Sequence, residues 1–512
     1  MEGQKVRKIV IAGGGTAGWI AAFALVRNLK GIVDIVLVES EEIGTVGVGE
    51  STIPTSRTFH QYMGIDETDF VRATGSTFKL GIAFENWRTE GSRYFHPFGR
   101  IGHPTWLADF HHFWLRAKHL GFGGELGDYC LEQRAGEAQK FESTPQLGTN
   151  YAYHLDAGLY GRYLRKLAVA DGVTRIEGKI AEVHQDPGSG DIRSLLLESG
   201  QEIAGDLFLD CTGFRGLLLG QKLGVEFEDW THWLPTDAAI AVQTSEVEPP
   251  RPYTRAMAHK AGWMWRIPLQ HRVGNGIVFS SAHMSPEEAE RLLRERIEGD
   301  VLIEPRLIRF RAGSRRKVWV KNCIGIGLST GFIEPLESTS IHLIMIAITR
   351  LLQMFPYGGI SEATAERFNF LSARELEGIR DFIVLHYHAT NREDSDFWRH
   401  CRTMDVPDTL RHRLALFRDL AHAFQESHDL FTVDSWVTVM LGQGVTPANF
   451  HPAALRVPED KLRQSLEAAR ANVARAVERM PRHEEWLRRY AETAPASADS
   501  AGSRGIETES RR

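Results

Sequence analysis

The sequence predicts an α/β fold: a three-layer core at the N-terminal side and a mostly helical part at the C-terminal side. Three observations predict it. A short apolar run, Lys8 to Ala12, breaks into the glycine turn Gly13 to Gly18 and continues into a helical stretch, Trp19 to Leu29. A second apolar run, Asp34 to Glu39, follows, so strand, turn, helix and strand succeed one another in Rossmann-type order. From about residue 351 the pattern turns helical, with Leu462, Leu466, Ala469, Val473, Val477 and Met480 at steps of three and four.

Between these ends, residues 40–56 are rich in Gly, Ser and Thr and read as a loop. Residues 96–150 hold aromatic and histidine patches without clear period, and Tyr160 to Ala168 is helical in pattern. Ile176 to Asp210 alternates in short runs around an Asp186-Pro187-Gly188 turn, as a β-meander leading into a buried strand, Leu207 to Leu209. The chain has 512 residues and no internal repeat. A flat division by length suggests three domains, but enzymes with interleaved segments also reach this size. The expected division is a box over 1–350 with substrate-site segments 96–150 and 223–317 interleaved, a helical covering part over 351–490, and a disordered tail over 491–512.

Composition narrows the function. Hydrophobic residues make up 42% and charged residues 25%, which suits a globular enzyme, and the net charge of −6 argues against a nucleic-acid binder. The four cysteines, Cys130, Cys211, Cys323 and Cys401, have no metal-ligand spacing, so no metal is expected and the thiols suit a reducing cytoplasm. The first apolar run ends at glycines and does not read as a secretory signal. The run from Ile341 to Ile348 is too short for a bilayer, so no membrane association is expected. Twelve tryptophans are mostly packing residues, with some available to line a site for a flat ring.

Gly13, Gly15 and Gly18 form GxGxxG between strand and helix. The first glycine permits the turn, the second lets the backbone approach a pyrophosphate, and the third lets helix and strand pack. Thr16 and Ala17 complete the turn as further cofactor-binding candidates, and the amides at the start of the following helix hold phosphate charge. Glu39 ends the second strand 21 residues after Gly18, where its carboxylate accepts from an adenosine ribose. This motif alone leaves FAD and NAD open. Two further segments, GDLFLDCTGFRG at 205–216 and NCIGIGLSTGFIEPL at 322–336, resemble the later flavin-contacting strands of FAD enzymes of the aromatic-hydroxylase type. Three such segments in this order favour FAD. With one GxGxxG and no second dinucleotide fold, reduced flavin would come from a separate NAD(P)H-dependent flavin reductase.

Gly262 to Pro268 reads GWMWRIP, a WxWxIP pattern. With GGGTAGW at 13–19, GVGEST at 47–52, FKLG at 78–81 and PLEST at 335–339, it resembles the flavin-dependent halogenases, the tryptophan halogenase family, over residues 8 to about 450. Flavin monooxygenases share the glycine turn but lack the other motifs. The resemblance implies FADH2- and O2-dependent halogenation of an electron-rich aromatic such as indole, through a flavin hydroperoxide and a hypohalous acid. It implies a halide co-substrate, adds Gly49 and Leu336 to the FAD contacts, and suggests a homodimer.

The resemblance also assigns roles. Lys79, in FKLG, would steer hypohalous acid, as an ammonium polarising the O–X bond or as an amine that is itself halogenated. Glu337, in PLEST, would stabilise the ring cation and take its proton; as an acid before a helix it would also favour the helix start. Thr339 and Ser340 would supply amides to the halide. Better-known tryptophan halogenases have glycine where Ser340 stands, so chloride and bromide both stay open. Trp263 and Trp265 read equally as a wall against direct hydroxylation and as strand residues on one core face.

His96 and Phe98, in FHPFG, match the ring-sandwiching residues of the family. The stretch Ser435 to Phe450, SWVTVMLGQGVTPANF, lacks the Tyr-Tyr pair and the acid that hold a free amino acid's head group. An ammonium buried there would have no partner, which is costly, so a neutral arene or a larger metabolite is expected over free tryptophan. Trp436 reads equally as pocket wall and as core. The rival readings are an aromatic hydroxylase, which would need an open path from flavin to ring, and a non-halogenating FAD-binding reductase.

Overall fold

The computed structural model describes residues 5–42 and 50–492. Gly49 and most of the expected tail lie outside them.

Alternate residues of the first strand, Lys8–Ala12, face opposite cores, as strand geometry dictates. Ile9 and Ile11 join a large core with the helices Thr16–Leu29, Ala157–Asp171 and Ser340–Gln353. Val10 and Ala12 face a smaller core built with the meander. Helices, central sheet and meander are therefore the three layers. The central sheet has six strands and places Lys8–Ala12 between Asp34–Glu39 and Leu207–Asp210, both parallel to it. Cys323–Gly325 extends it in parallel beside Leu207–Asp210. The meander is the antiparallel set Ile180–Gln185, Ile192–Leu197 and Glu202–Ala204, and Asp186 caps its turn through the amides of Gly188 and Ser189.

A second sheet of seven strands draws on residues 81–97 and 238–309. The chain passes back and forth between the two sheets. Gly262–Pro268 is an interior strand of this sheet and buried along its whole length, with Trp263 and Trp265 on one face. The helices Glu362–His388, Asp396–Thr403, Asp408–Leu420 and Val433–Gly442 close over that face in one core. Leu462, Leu466 and Val477 are buried in the helix Glu459–Arg479, as the stripe predicts.

Three local expectations change. The N-terminal helix begins at Thr16 and not at Trp19, because the Trp19 amide already bonds Gly15 O at 3.1 Å. Residues 96–150 contain the helices Phe110–His119 and Leu131–Glu137, whose short length hid their period. Within the loop over 40–56, Glu50–Ser51 is a strand and Thr55 starts a helix. Glu50–Ser51 and Thr77–Lys79 flank Ala152–Leu155 in a small antiparallel sheet, which brings Ser51 to Lys79. The run 341–348 is largely buried, but His342 interrupts it and bonds Thr55 at 2.9 Å and Glu375 at 2.9 Å. All four cysteines are free and buried. Among the described residues no helix is long and apolar enough to cross a membrane.

Candidate active site

A cavity of about 1070 Å³ opens at the carboxyl ends of the central strands. Each glycine of the turn shows its reason. Gly13 has φ +105° and a Cβ there would stand 2.4 Å from Cys211 O. A Cβ on Gly18 would meet Gly13 O at 1.9 Å, whereas one on Gly15 would meet nothing within 4 Å, so that backbone is open to a ligand. Gly13, Gly15, Thr16, Ala17 and Glu39 line the cavity, and Gly18 serves packing alone. Segments 211–217 and 325–336 line it too, Leu336 included. Buried Asp210 shapes the first of these by accepting from the amides of Thr212, Leu218 and Leu219. Glu39 borders the cavity while accepting from Trp19 Nε1 at 3.1 Å and Arg175 Nε at 2.5 Å. An adenosine ribose would share this carboxylate with them.

Lys79, fully buried, lies behind the cavity wall. Its Nζ donates to Ser338 Oγ at 2.9 Å, Ser51 Oγ at 3.1 Å and Thr52 O at 3.2 Å. Ser51 and Ser338, themselves bonded at 2.6 Å, line the cavity; Lys79 does not. Burial pushes its ammonium down to about 7, although the nearby Glu337 carboxylate favours the charge. Ser338 has φ +59°, a left-handed conformation that costs a non-glycine residue on the order of 1 kcal/mol. Thr339 and Ser340 follow at the helix start and line the cavity, and the Thr339 side chain does not cap that helix.

Glu337, also fully buried, accepts from His96 Nδ1 at 3.0 Å, and His386 Nε2 lies 3.0 Å from its Oε1. The His386 contact is not an in-line hydrogen bond, and its Nδ1 donates to Phe382 O at 2.8 Å. Burial alone would raise the Glu337 carboxyl, but the two histidines overcome it and hold it at about 2. Beyond His96 stands an aromatic cluster. Phe382 and Phe431 stack at 3.7 Å, His96 lies 5.5 Å from Phe382, and Trp436 meets Phe382 edge-on at 4.9 Å. Phe98 sits under Lys79 Nζ, 5.0 Å from its ring centroid.

Two buried groups thus sit between a dinucleotide-sized cavity and an aromatic cluster. The family model "Tryptophan halogenase" matches residues 8–459. The chain belongs to that family. The halogenase is 36% identical to the 7-chloro-L-tryptophan 6-halogenase KtzR of Kutzneria sp. (strain 744), over 94% of this chain and 99% of that one. Among solved structures it is similar to a flavin-dependent halogenase from Xanthomonas campestris, with TM-score 0.94, 53% identity and coverage of 95% and 99% of the two chains. It is also similar to BrvH, a flavin-dependent halogenase from Brevundimonas sp. BAL3, with TM-score 0.91, 44% identity and coverage of 95% and 99%. The halogenase is accordingly a flavin enzyme that uses FADH2 and O2 to halogenate aromatic substrates, rather than a hydroxylase or a reductase.

Sequence motifs brought Lys79, Glu337, His96 and Phe98 to this region, and the structure places Trp436 at its edge. Gly49 lies outside the described residues. Sequence reasoning missed Phe382 and His386, from the helix Glu362–His388, and Phe431, from the bend before the helix Val433–Gly442. It also passed over Ser51 and Glu334. The signal for Phe382 and His386 was present in their four-residue spacing, which puts both rings on one helix face.

The stretch 435–450 is preceded by Asp434, whose carboxylate accepts from the Ile101 amide at 3.1 Å and is pushed up by burial.

Proposed function

We propose that this halogenase oxidises bromide or chloride and delivers it to a neutral electron-rich arene such as indole, in preference to free tryptophan. Lys79 steers the hypohalous acid and Glu337 takes the ring proton. One observation carries this reading: Lys79 and Glu337 are both fully buried, and neither lines the large cavity. Ser51 and Ser338 connect the lysine to the cavity wall. A direct path from flavin to ring is what a hydroxylase would need, and the wall stands in that path.

The cavity residues fit FAD: a glycine turn open at Gly15, a carboxylate at Glu39, and two further strand ends on one rim. Bound FAD, reduced by a separate reductase, supplies electrons and activates oxygen. The chain's own residues do the rest. Thr339 and Ser340 hold the halide at a helix start. Lys79 holds the oxidised halogen by its ammonium, and Glu337 faces the arene with a carboxylate kept ionised by His96 and His386. The helices over 351–490 cover the arene side.

Three features support a neutral arene. The 435–450 stretch carries no acid, and Asp434 beside it is bonded to Ile101, so an amino-acid ammonium lacks a free partner. The cluster around His96 is Phe382, Phe431 and Trp436, apolar walls for a flat ring. The neighbours at 53% and 44% identity are named as flavin-dependent halogenases, whereas a tryptophan 6-halogenase from Streptomyces toxytricini stands at 34%.

The test supplies FAD, NADH, a flavin reductase, oxygen and halide. Indole should be halogenated faster than tryptophan, and Lys79→Ala should abolish product while flavin oxidation continues. Equal product from that variant would remove the lysine role, and faster turnover of tryptophan would remove the substrate assignment. Competition between bromide and chloride decides the halide.

A further inference from the structure

The segment Glu334-Pro335-Leu336-Glu337 carries two fully buried carboxyls in different surroundings. Glu337 meets two histidines. Glu334 borders the flavin cavity beside Trp263 and Leu336. Its Oε2 accepts from the Tyr387 hydroxyl at 2.6 Å and the Thr236 hydroxyl at 3.1 Å, while Oε1 has no in-line partner. Ionised, Oε1 would carry buried charge without an in-line donor, the Trp263 indole being its neighbour on that side; protonated, it carries an O–H at the cavity wall.

Turnover needs a proton on that side. Halide oxidation follows FADH2 + O2 + X⁻ + H⁺ → FAD + HOX + H2O. The halide and the reduced cofactor each give up two electrons, and oxygen takes all four. One oxygen atom leaves as water and the other stays on the halogen, with one proton consumed beyond those of the cofactor. On the arene side the sense reverses: the ring C–H breaks as C–X forms, and the released proton joins the hydroxide left by HOX to give water.

We propose that Glu334 is the acid that supplies the proton consumed in halide oxidation, opposite Glu337 as the base on the arene side. The proposal rests on the halogenation reading above. The Oε1–H bond breaks, and the resulting carboxylate is held by the Tyr387 and Thr236 donors, whose hydrogen bonds strengthen toward an ion. Solvent returns the proton before the next cycle. The surroundings agree: burial, aided by the Glu337 charge, outweighs the Tyr387, Thr236 and Trp263 donors and leaves the Glu334 carboxyl raised to about 7. Two carboxyls driven apart in this way divide acid and base work between them. The other titratable groups facing Glu334 are Tyr387 and Cys401, both pushed upward by burial and so neutral near pH 7. Lys79 titrates at about 7 as well, so an alkaline fall in product does not by itself separate the two.

The test therefore reads the carboxyl directly. Infrared difference spectra of the full chain, taken across neutral pH, should show a protonated-carboxyl C=O band fading with a midpoint at about 7. Burial and the Asp156 charge raise Glu50, also on the cavity wall, to about 7 as well, so the Glu334 part of the band is the part lost in Glu334→Gln, which keeps an acceptor for Tyr387 and Thr236 but has no proton to give. That variant should oxidise reduced flavin normally, while halogenated product per flavin drops by at least about 10-fold and hydrogen peroxide rises. Tyr387→Phe removes a donor to the carboxylate, so the band midpoint and the alkaline limb of product formation should both move up, by about one pH unit. A band that Glu334→Gln leaves unchanged, or wild-type product yield from that variant, overturns the proposal. Should Glu334→Gln fail to fold, the Tyr387→Phe shift decides, because Tyr387 bonds Glu334. A wild type that halogenates no arene with either halide overturns the underlying reading instead, while the infrared midpoint still reports on Glu334.

Discussion

Lys79 is held where a lysine is expensive. Its ammonium drops from 10.5 to about 7, so between those values the unfolded chain binds a proton that the folded chain does not. Stability must then rise with pH across that window. Lys79→Met should raise Tm near neutral pH, by up to a few kcal/mol in stability, and the gain should shrink as pH approaches 10.5. Thermal melts at three pH values check both the size and the slope. Ser338 is costly in a different way, because its left-handed backbone suits glycine. Ser338→Gly should leave stability within about 1 kcal/mol of wild type, as relieved strain offsets the lost hydroxyl. Product per flavin oxidised should fall, since Lys79 loses its shortest hydrogen bond. Lys79 and Glu337 were legible because each sits in a short motif. Ser338 and Glu334 lie in the same motif region, yet their importance depends on partners about 50 and 260 positions away, which no local pattern encodes.

At the scale of elements, the strand–turn–helix unit was readable because its reasons are local. The glycine turn makes two separable predictions. Gly13→Ala forces a Cβ against Cys211 O in a backbone that L-residues avoid, so it should destabilise by more than about 1 kcal/mol and abolish FAD retention. Gly15→Ala meets no protein atom, so its melting curve should stay near wild type while FAD affinity falls. Fluorescence titration with FAD beside a melt distinguishes the two. The long helix Glu362–His388 was legible as a helix but not as part of the site. Its periodicity reports only that a face is buried, while Phe382, His386 and Tyr387 gain their roles from what three other segments place against them.

For the whole molecule, the layered core was foreseen from the order of strands and helices. The pairing of residues 81–97 with 238–309 was not, because strand pairing at such separation leaves no mark on either sequence alone. This construction puts the flavin cavity against the central sheet and the arene cluster against the second sheet, with residues 334–340 between them. Ligand effects should follow the same partition. FAD at about 100 times its Kd should stabilise the fold by about 2.7 kcal/mol, and an arene should add its own increment with little coupling. Calorimetry with each ligand and with both checks this; a large interaction energy would mean that the two sides act as one site.

The four buried thiols take on a different meaning in an enzyme that generates a thiol oxidant. Cys130, Cys211 and Cys323 are pushed well up by burial, and Cys401 likewise, so none offers a thiolate to electrophilic halogen. Only the thiol form is present, and Cys130, Cys323 and Cys401 lie off the cavity wall. Cys211 borders the cavity and is therefore the weak point: when halide is turned over without an arene, self-inactivation should begin there.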